Sequence, residues 1–176
     1  IISIIYIFYL NTKNNKKNID EAINSETKLY NSNLLENIEY ISKDAKGNEY
    51  IIRATKGEID IENKDIIFLE DVRSKIKLNN SKEIFITSNY GKYNTNNYST
   101  IFSKNVIITY IDNKITGEYL DFSLERNSMI ISRDVVYTTL ENVLKADVIE
   151  IDITTKDTQI FMYEKNKKVN IRSKNY

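Results

Sequence analysis

Cysteine is missing from this 176-residue chain, and so are histidine and proline. Without cysteine there is no disulfide, no zinc–thiolate centre and no thiol nucleophile. Without histidine the usual general base near neutral pH and the commonest transition-metal ligand are absent. Only four glycines occur, and neither GxGxxG nor GxxxxGK[ST] can be found, so no glycine-rich loop is available to cradle phosphates. Charge of one sign is also lacking. Lys+Arg and Asp+Glu both number 25. The chain therefore carries no basic field of the kind that holds nucleic acid, and no acidic tail.

What remains is a chain rich in Ile, Asn and Lys, 41% hydrophobic and 28% charged, which is an ordinary globular balance. It opens on IISIIYIFYL (1–10), an apolar run too short to cross a bilayer, followed abruptly by NTKNNKKN. We expect 1–10 to be the end of an N-terminal membrane anchor and 11–33 to be a polar stalk or linker. The remaining segment, 34–176, is expected to be the folded domain.

From Leu34 onward short runs of Ile, Val, Tyr, Phe and Thr alternate with polar residues and are punctuated by Asn, Asp, Lys and Gly, the pattern of β-strands and turns. LENIEYIS, KDAKGN and EYIIRAT read as a hairpin in which Gly47 supplies a turn conformation that other residues resist. ITSNYGKY (Ile86 to Tyr93) returns as ITGEYLDF (Ile115 to Phe122). In the same register Ile101, Ser103, Asn105 and Val106 correspond to Ile130, Ser132, Asp134 and Val135. Upstream the spacing lengthens, and Ile67, Phe68, Asp71 and Val72 correspond to Ile101, Phe102, Asn105 and Val106. About four copies of one unit result, each with a small residue opening a strand and a strand ending in [IF]-x-x-[DN]-V. Such units cover one another's apolar faces by stacking, which predicts an all-β, solenoid-like or elongated jellyroll architecture with an open edge at each end.

Alternation assigns the faces. In VRSKIKLN, Val72, Ile76 and Leu78 fall opposite Arg73, Lys75 and Lys77. The same reasoning turns Val106, Ile108, Leu120, Phe122 and Val135 inward, with Ile149 and Ile151 between the carboxylates Asp147, Glu150 and Asp152. Those carboxylates could in principle serve glycoside chemistry or calcium, but a solvated strand face accounts for them, and the Gly-Asp repeats of calcium solenoids are absent. Tyr90, Tyr93, Tyr110, Tyr119 and Tyr137 lie in strand-like runs where tyrosine packs well.

With KGNEYIIRA (Gly47, Tyr50, Ala54) and the elements LEDV, SKNV and RDVV in hand, the chain resembles the LptC family of lipopolysaccharide export. It departs from the family pattern where Glu70, Lys104 and Arg133 replace a glycine. The resemblance implies a twisted antiparallel β-jellyroll in the periplasm, held to the inner membrane by a single pass. It implies no enzymatic activity and no cofactor. It also implies an apolar groove for the acyl chains of lipopolysaccharide, for which the inward residues from Val72 to Ile151 are the candidates. The expected partners are an inner-membrane ABC transporter and a periplasmic jellyroll bridge protein that adds its strand to a sheet edge. Gly47 and the last strand-like runs, with Ile160, Met162, Val169 and Ile171, are the expected partner-binding positions. The competing readings are a soluble bridge protein of the same system and a β-solenoid scaffold that carries no lipid.

Overall fold

The computed structural model describes residues 33–43, 47–78, 82–164 and 166–174. The expectations for 1–10 and for 11–32 lie outside the described residues. From Leu34 the chain forms ten antiparallel strands: β1 (Leu34–Lys43), β2 (Glu49–Ile59), β3 (Ile66–Lys77), β4 (Ile84–Asn94), β5 (Thr100–Tyr110), β6 (Asn113–Ser123), β7 (Ser128–Thr138), β8 (Asn142–Asp152), β9 (Thr158–Phe161) and β10 (Asn170–Ser173). The first eight form one meander in chain order. Both β9 and β10 then pair with β8, the former along Val148–Ile151 and the latter along Asn142–Lys145. The sheet does not close on itself. It is the open, repeated-hairpin jellyroll that the alternation predicts.

Scarcity of glycine and proline leaves the turns to Asn and Asp, whose short polar side chains bond their own backbone. Asp60 Oδ1 accepts the Glu62 amide at 2.8 Å, Asn94 Oδ1 accepts the Asn96 amide at 2.9 Å, and Asp152 Oδ1 accepts those of Thr154 and Thr155 at 2.7 Å each. Gly47, at φ 82, serves the first hairpin as expected.

One point of the sequence reading is revised. The [DN]-V pairs and the small residues do not end or open strands. They sit in the middle of long ones. Asn37, Asp71, Asn105 and Asp134 all lie in the left-handed region, at φ 52 to 55, directly before Ile38, Val72, Val106 and Val135. Asn and Asp tolerate that region better than most residues. The left-handed residue bends the strand without ending it, so the pairing resumes on the far side. In β5 and β7 a second left-handed residue, Lys104 or Arg133, adds a bulge that shifts the register. The repeat is thus a device for creasing β1, β3, β5 and β7. Asn37–Ile38 is a further copy, hidden in LENIEYIS.

Small residues are needed opposite the crease because the backbones crowd there. Ile38 pairs with Ala54, Val72 with Ser88, Val106 with Gly117 and Val135 with Ala146. A Cβ on Gly117 would lie 2.9 Å from Ile131 Cγ1, and one on Gly91 would lie 3.0 Å from Val72 Cγ2.

The crease turns each sheet half into a wall facing the other. On the first wall one ladder of partners runs Gly57, Leu69, Gly91, Phe102, Leu120, Ile131, Ile149, Ile160. On the second wall the matching ladder runs Ile52, Ser74, Ile86, Ile108, Ile115, Tyr137, Leu144, Ile171. Contacts between the walls join them into a single core. Tyr40 of the second wall stacks tilted on Tyr93 of the first, with centroids 5.0 Å apart, and Tyr50 meets Phe122 at 5.9 Å. Each fully buried aliphatic or aromatic side chain of this core contributes about 1.5–3 kcal/mol.

Candidate functional site

The core is not filled throughout. Away from the crease, toward the C-terminal strands, the walls stand apart around a cavity of about 580 Å³. Leu78, Ile84, Ile108 and Ile115 come from the second wall, and Met129, Ile149, Ile151 and Ile160 from the first. Polar groups enter at its margin: Tyr110, Asn113, Tyr137, Thr158 and Lys156. The volume falls in the range of small-molecule sites, and an apolar lining with a few polar groups is their usual character.

The inward residues read from the sequence all reach this shared interior, but they divide. Leu78, Ile108, Ile149 and Ile151 line the cavity. Val72, Ile76, Val106, Leu120, Phe122 and Val135 are buried in the packed layer and do not line it. The alternation shows which way a side chain points. How far the opposite wall stands depends on the crease. Ile84, Ile115 and Met129 obey the same alternation and could have been read from it. Lys156 could not, because TTKDT reads only as a polar turn.

The expected partner-binding residues also separate. Ile160 sits in β9, on the first wall, and lines the cavity. Ile171 sits in β10, on the second wall, 65% exposed. Met162 and Val169, in the segment between these strands, pack against the core. The final edge is therefore two four-residue strands placed end to end along β8. Gly47 lies at the opposite edge, in the β1–β2 hairpin.

Two of the three carboxylates weighed for chemistry, Asp152 and Asp147, have structural partners. Asp152 caps the turn after β8, and the amides of Thr155 and Thr154 hold its carboxyl below the usual carboxylate range. Asp147 accepts the Tyr163 amide at 2.9 Å. Among the described residues no cluster of acidic side chains could hold a metal ion.

A second, shallower cleft of about 490 Å³ lies on the outer side of the first wall, lined in part by Phe68, Tyr90 and Tyr119. Cations cover these rings: Lys92 Nζ stands 5.8 Å from Phe68, Lys104 Nζ 5.2 Å from Tyr90, and Arg133 5.4 Å from Tyr119. This gives Lys104 and Arg133 a role at the bulge. An exposed cation–π contact of about 0.5–1 kcal/mol partly offsets the cost of a left-handed non-glycine residue.

Comparison with known proteins agrees with this architecture. Residues 1–165 match the family model described as "Lipopolysaccharide-assembly, LptC-related". No curated protein matches the chain. Among solved structures, the fold is similar to that of LptH, described as the LptA-homologous periplasmic component of the lipopolysaccharide transport device of Pseudomonas aeruginosa. The TM-score is 0.53 at 10% identity, over 72% of this chain and 95% of that one. At that identity the likeness speaks for the fold. The chain belongs to the LptC-related family, a non-enzymatic lipid-transfer adaptor whose β-jellyroll is a periplasmic module of lipopolysaccharide transport. Among the described residues no helix is long and apolar enough to cross a membrane.

Proposed function

Taking membership of the LptC-related family as the premise, we propose that the cavity between the two walls is where this adaptor holds the acyl chains of lipopolysaccharide. The observation that carries the reading is the cavity itself, an apolar space bounded by Leu78, Ile108, Ile149 and Ile151 inside an otherwise tightly packed core. Acyl chains entering it leave water at about 25 cal/mol per Å² of apolar area. The lipid arrives from an inner-membrane ABC transporter, whose nucleotide hydrolysis supplies the energy. It leaves to a periplasmic jellyroll protein that adds a strand at the β9 and β10 edge, where Ile171 is exposed. The segment 1–10 belongs to a single-pass anchor and 11–33 to its stalk.

The test is photo-crosslinking. A photoactivatable residue at Ile108 or Ile151 should form an adduct with labelled lipopolysaccharide, and one at Phe102, in the packed layer, should not. Equal yields at all three positions, or none at any, would refute the cavity as the lipid site. Deleting Thr158 to Tyr176 should abolish capture of the downstream jellyroll protein, and undiminished capture would exclude this edge.

A further inference from the structure

Lys156 is the one charged residue among the described residues lining the apolar cavity. It belongs to the turn between β8 and β9, and that turn is tightly built. Besides the two amides held by Asp152 Oδ1, the Lys156 amide donates to the Asp152 carbonyl at 2.9 Å, and the Asp152 amide donates to the Asp157 carbonyl at 2.9 Å. The turn is also pinned to the β6–β7 connection. The Ile153 amide donates to the Asn127 carbonyl at 2.8 Å, and Thr154 Oγ1 bonds Asn127 Oδ1 at 3.1 Å. Within this frame Lys156 adopts φ 68, a conformation suited to glycine or asparagine. The chain accepts that backbone cost at a position whose side chain turns back over the cavity.

The ammonium donates to the Ile153 carbonyl at 2.5 Å. An ammonium has three donors, and that bond uses one. Among the described residues no carboxylate lies within ion-pairing distance of Nζ. Burial pushes the Lys156 pKa down, while Tyr110 and Asp152 act in the opposite direction. Lys156 is solvent-exposed at the margin of the apolar space, so its remaining donors are open to an anion carried by a chain lodged between the walls.

We propose that Lys156 is the headgroup-selecting residue of the cavity: it pairs with an anionic group, a phosphate or a carboxylate, at the end of an apolar chain lodged between the walls. The inference rests on the lipid reading of the cavity and narrows it to anionic amphiphiles. A charge-assisted hydrogen bond at this site favours an anion over a neutral hydroxyl on the same chain.

The experiment is competition on the full chain. Lauryl phosphate, laurate and lauryl alcohol, each below its micellar concentration, displace the fluorescent apolar probe 1-N-phenylnaphthylamine. The wild type should prefer both anions to the alcohol by about fivefold. K156M should bring the three ligands within about twofold of one another by weakening only the anions, and K156R should keep the preference. Because Nζ also holds the Ile153 carbonyl, K156Q, whose amide can donate to that carbonyl without charge, is run beside K156M, with thermal melts of each. Tighter binding of the phosphate than of laurate would identify a phosphorylated lipid as the source, and equal binding would identify anionic amphiphiles in general. If the wild type binds all three ligands equally, the role of Lys156 is wrong while the cavity reading stands. If neither the probe nor any ligand binds, the cavity reading falls and this inference falls with it.

Discussion

The crease and the margin of the two-walled sheet are built from the same strands, yet they have opposite characters. At the crease the walls meet at the closest distance their backbones allow. Val72, Val106 and Val135 are almost entirely excluded from solvent and face Ser88, Gly117 and Ala146. At the margin, two to five residues from the crease along the same strands, Ile84, Ile108, Ile115 and Ile151 bound open space. Hydrophobicity does not distinguish the two regions, because both are lined by branched apolar side chains. Nor does distance from the bend alone: Ile76 and Phe122 lie farther from it than Ile108 and Ile115 yet are packed, and the space opens only toward the C-terminal strands. A strand that turns back on its neighbour must be dry where it turns and can be open where it has diverged. The crease is thus where stability is concentrated, and the margin is where a ligand can be held.

That division can be broken or sharpened by substitution. The largest effect is expected at Phe102, which is 0% exposed. Phe102→Ala should cost about 3–5 kcal/mol in urea unfolding. Ile151→Ala, at a wall that already borders a cavity, should cost less than half as much, and equal losses would erase the distinction. Next comes crowding. Gly117→Val should destabilise by about 1–3 kcal/mol, since even a Cβ would stand 2.9 Å from Ile131 Cγ1 and 3.2 Å from the Ser132 carbonyl oxygen. A Gly117→Val variant as stable as wild type would mean that the crease is looser than described.

A smaller effect of opposite sign is expected at the far end of the strands. Ile111, in the short β5–β6 turn, has φ 53 although it is β-branched and 57% exposed. Ile111→Asn should stabilise the domain by about 1 kcal/mol, read as a higher melting temperature. Asn105→Ile, which imposes the same strain at the crease, should destabilise it by a similar amount. Near-neutral change is expected at Thr100, whose Oγ1 is buried with no hydrogen-bond partner among the described residues. Thr100→Val should leave stability unchanged or slightly raised.

The last expectation has no effect at neutral pH. Burial, with smaller contributions from Tyr98 and Tyr40, pushes the Tyr93 pKa up to about 12 from an ordinary 10.0. Above pH 10 the unfolded chain releases this proton while the folded one retains it. Stability is therefore complete below about pH 10 and declines as the pH rises toward about 12. Tyr93→Phe should flatten that decline in pH-dependent melts.

Much of this fold was legible in the residues. Alternation in VRSKIKLN placed Val72, Ile76 and Leu78 on the inner face, and all three are buried. The Asn, Asp and Gly clusters marked the turns. The recurrence of [DN]-V beside small residues marked the repeat, although it was read as the end of a strand instead of its bend. Sequence alone cannot make that distinction. An Asn in the left-handed region and an Asn in a turn are the same letter, and only the register on both sides shows that the ladder continues. The site was half legible for a related reason. Inward-facing residues were recognisable, but which of them touch one another and which face open space depends on the separation of the walls.

The sequence by itself determined the strand-like runs, their inner faces, the absence of thiol and imidazole chemistry and the recurrence of [DN]-V beside small residues, because these follow from composition, local backbone preference and period-two alternation. Only the tertiary structure decided that the bends align into one crease, that a cavity opens beyond it, and that Lys156 returns from a polar turn to its margin. These depend on contacts between residues far apart in the chain, which no local pattern encodes.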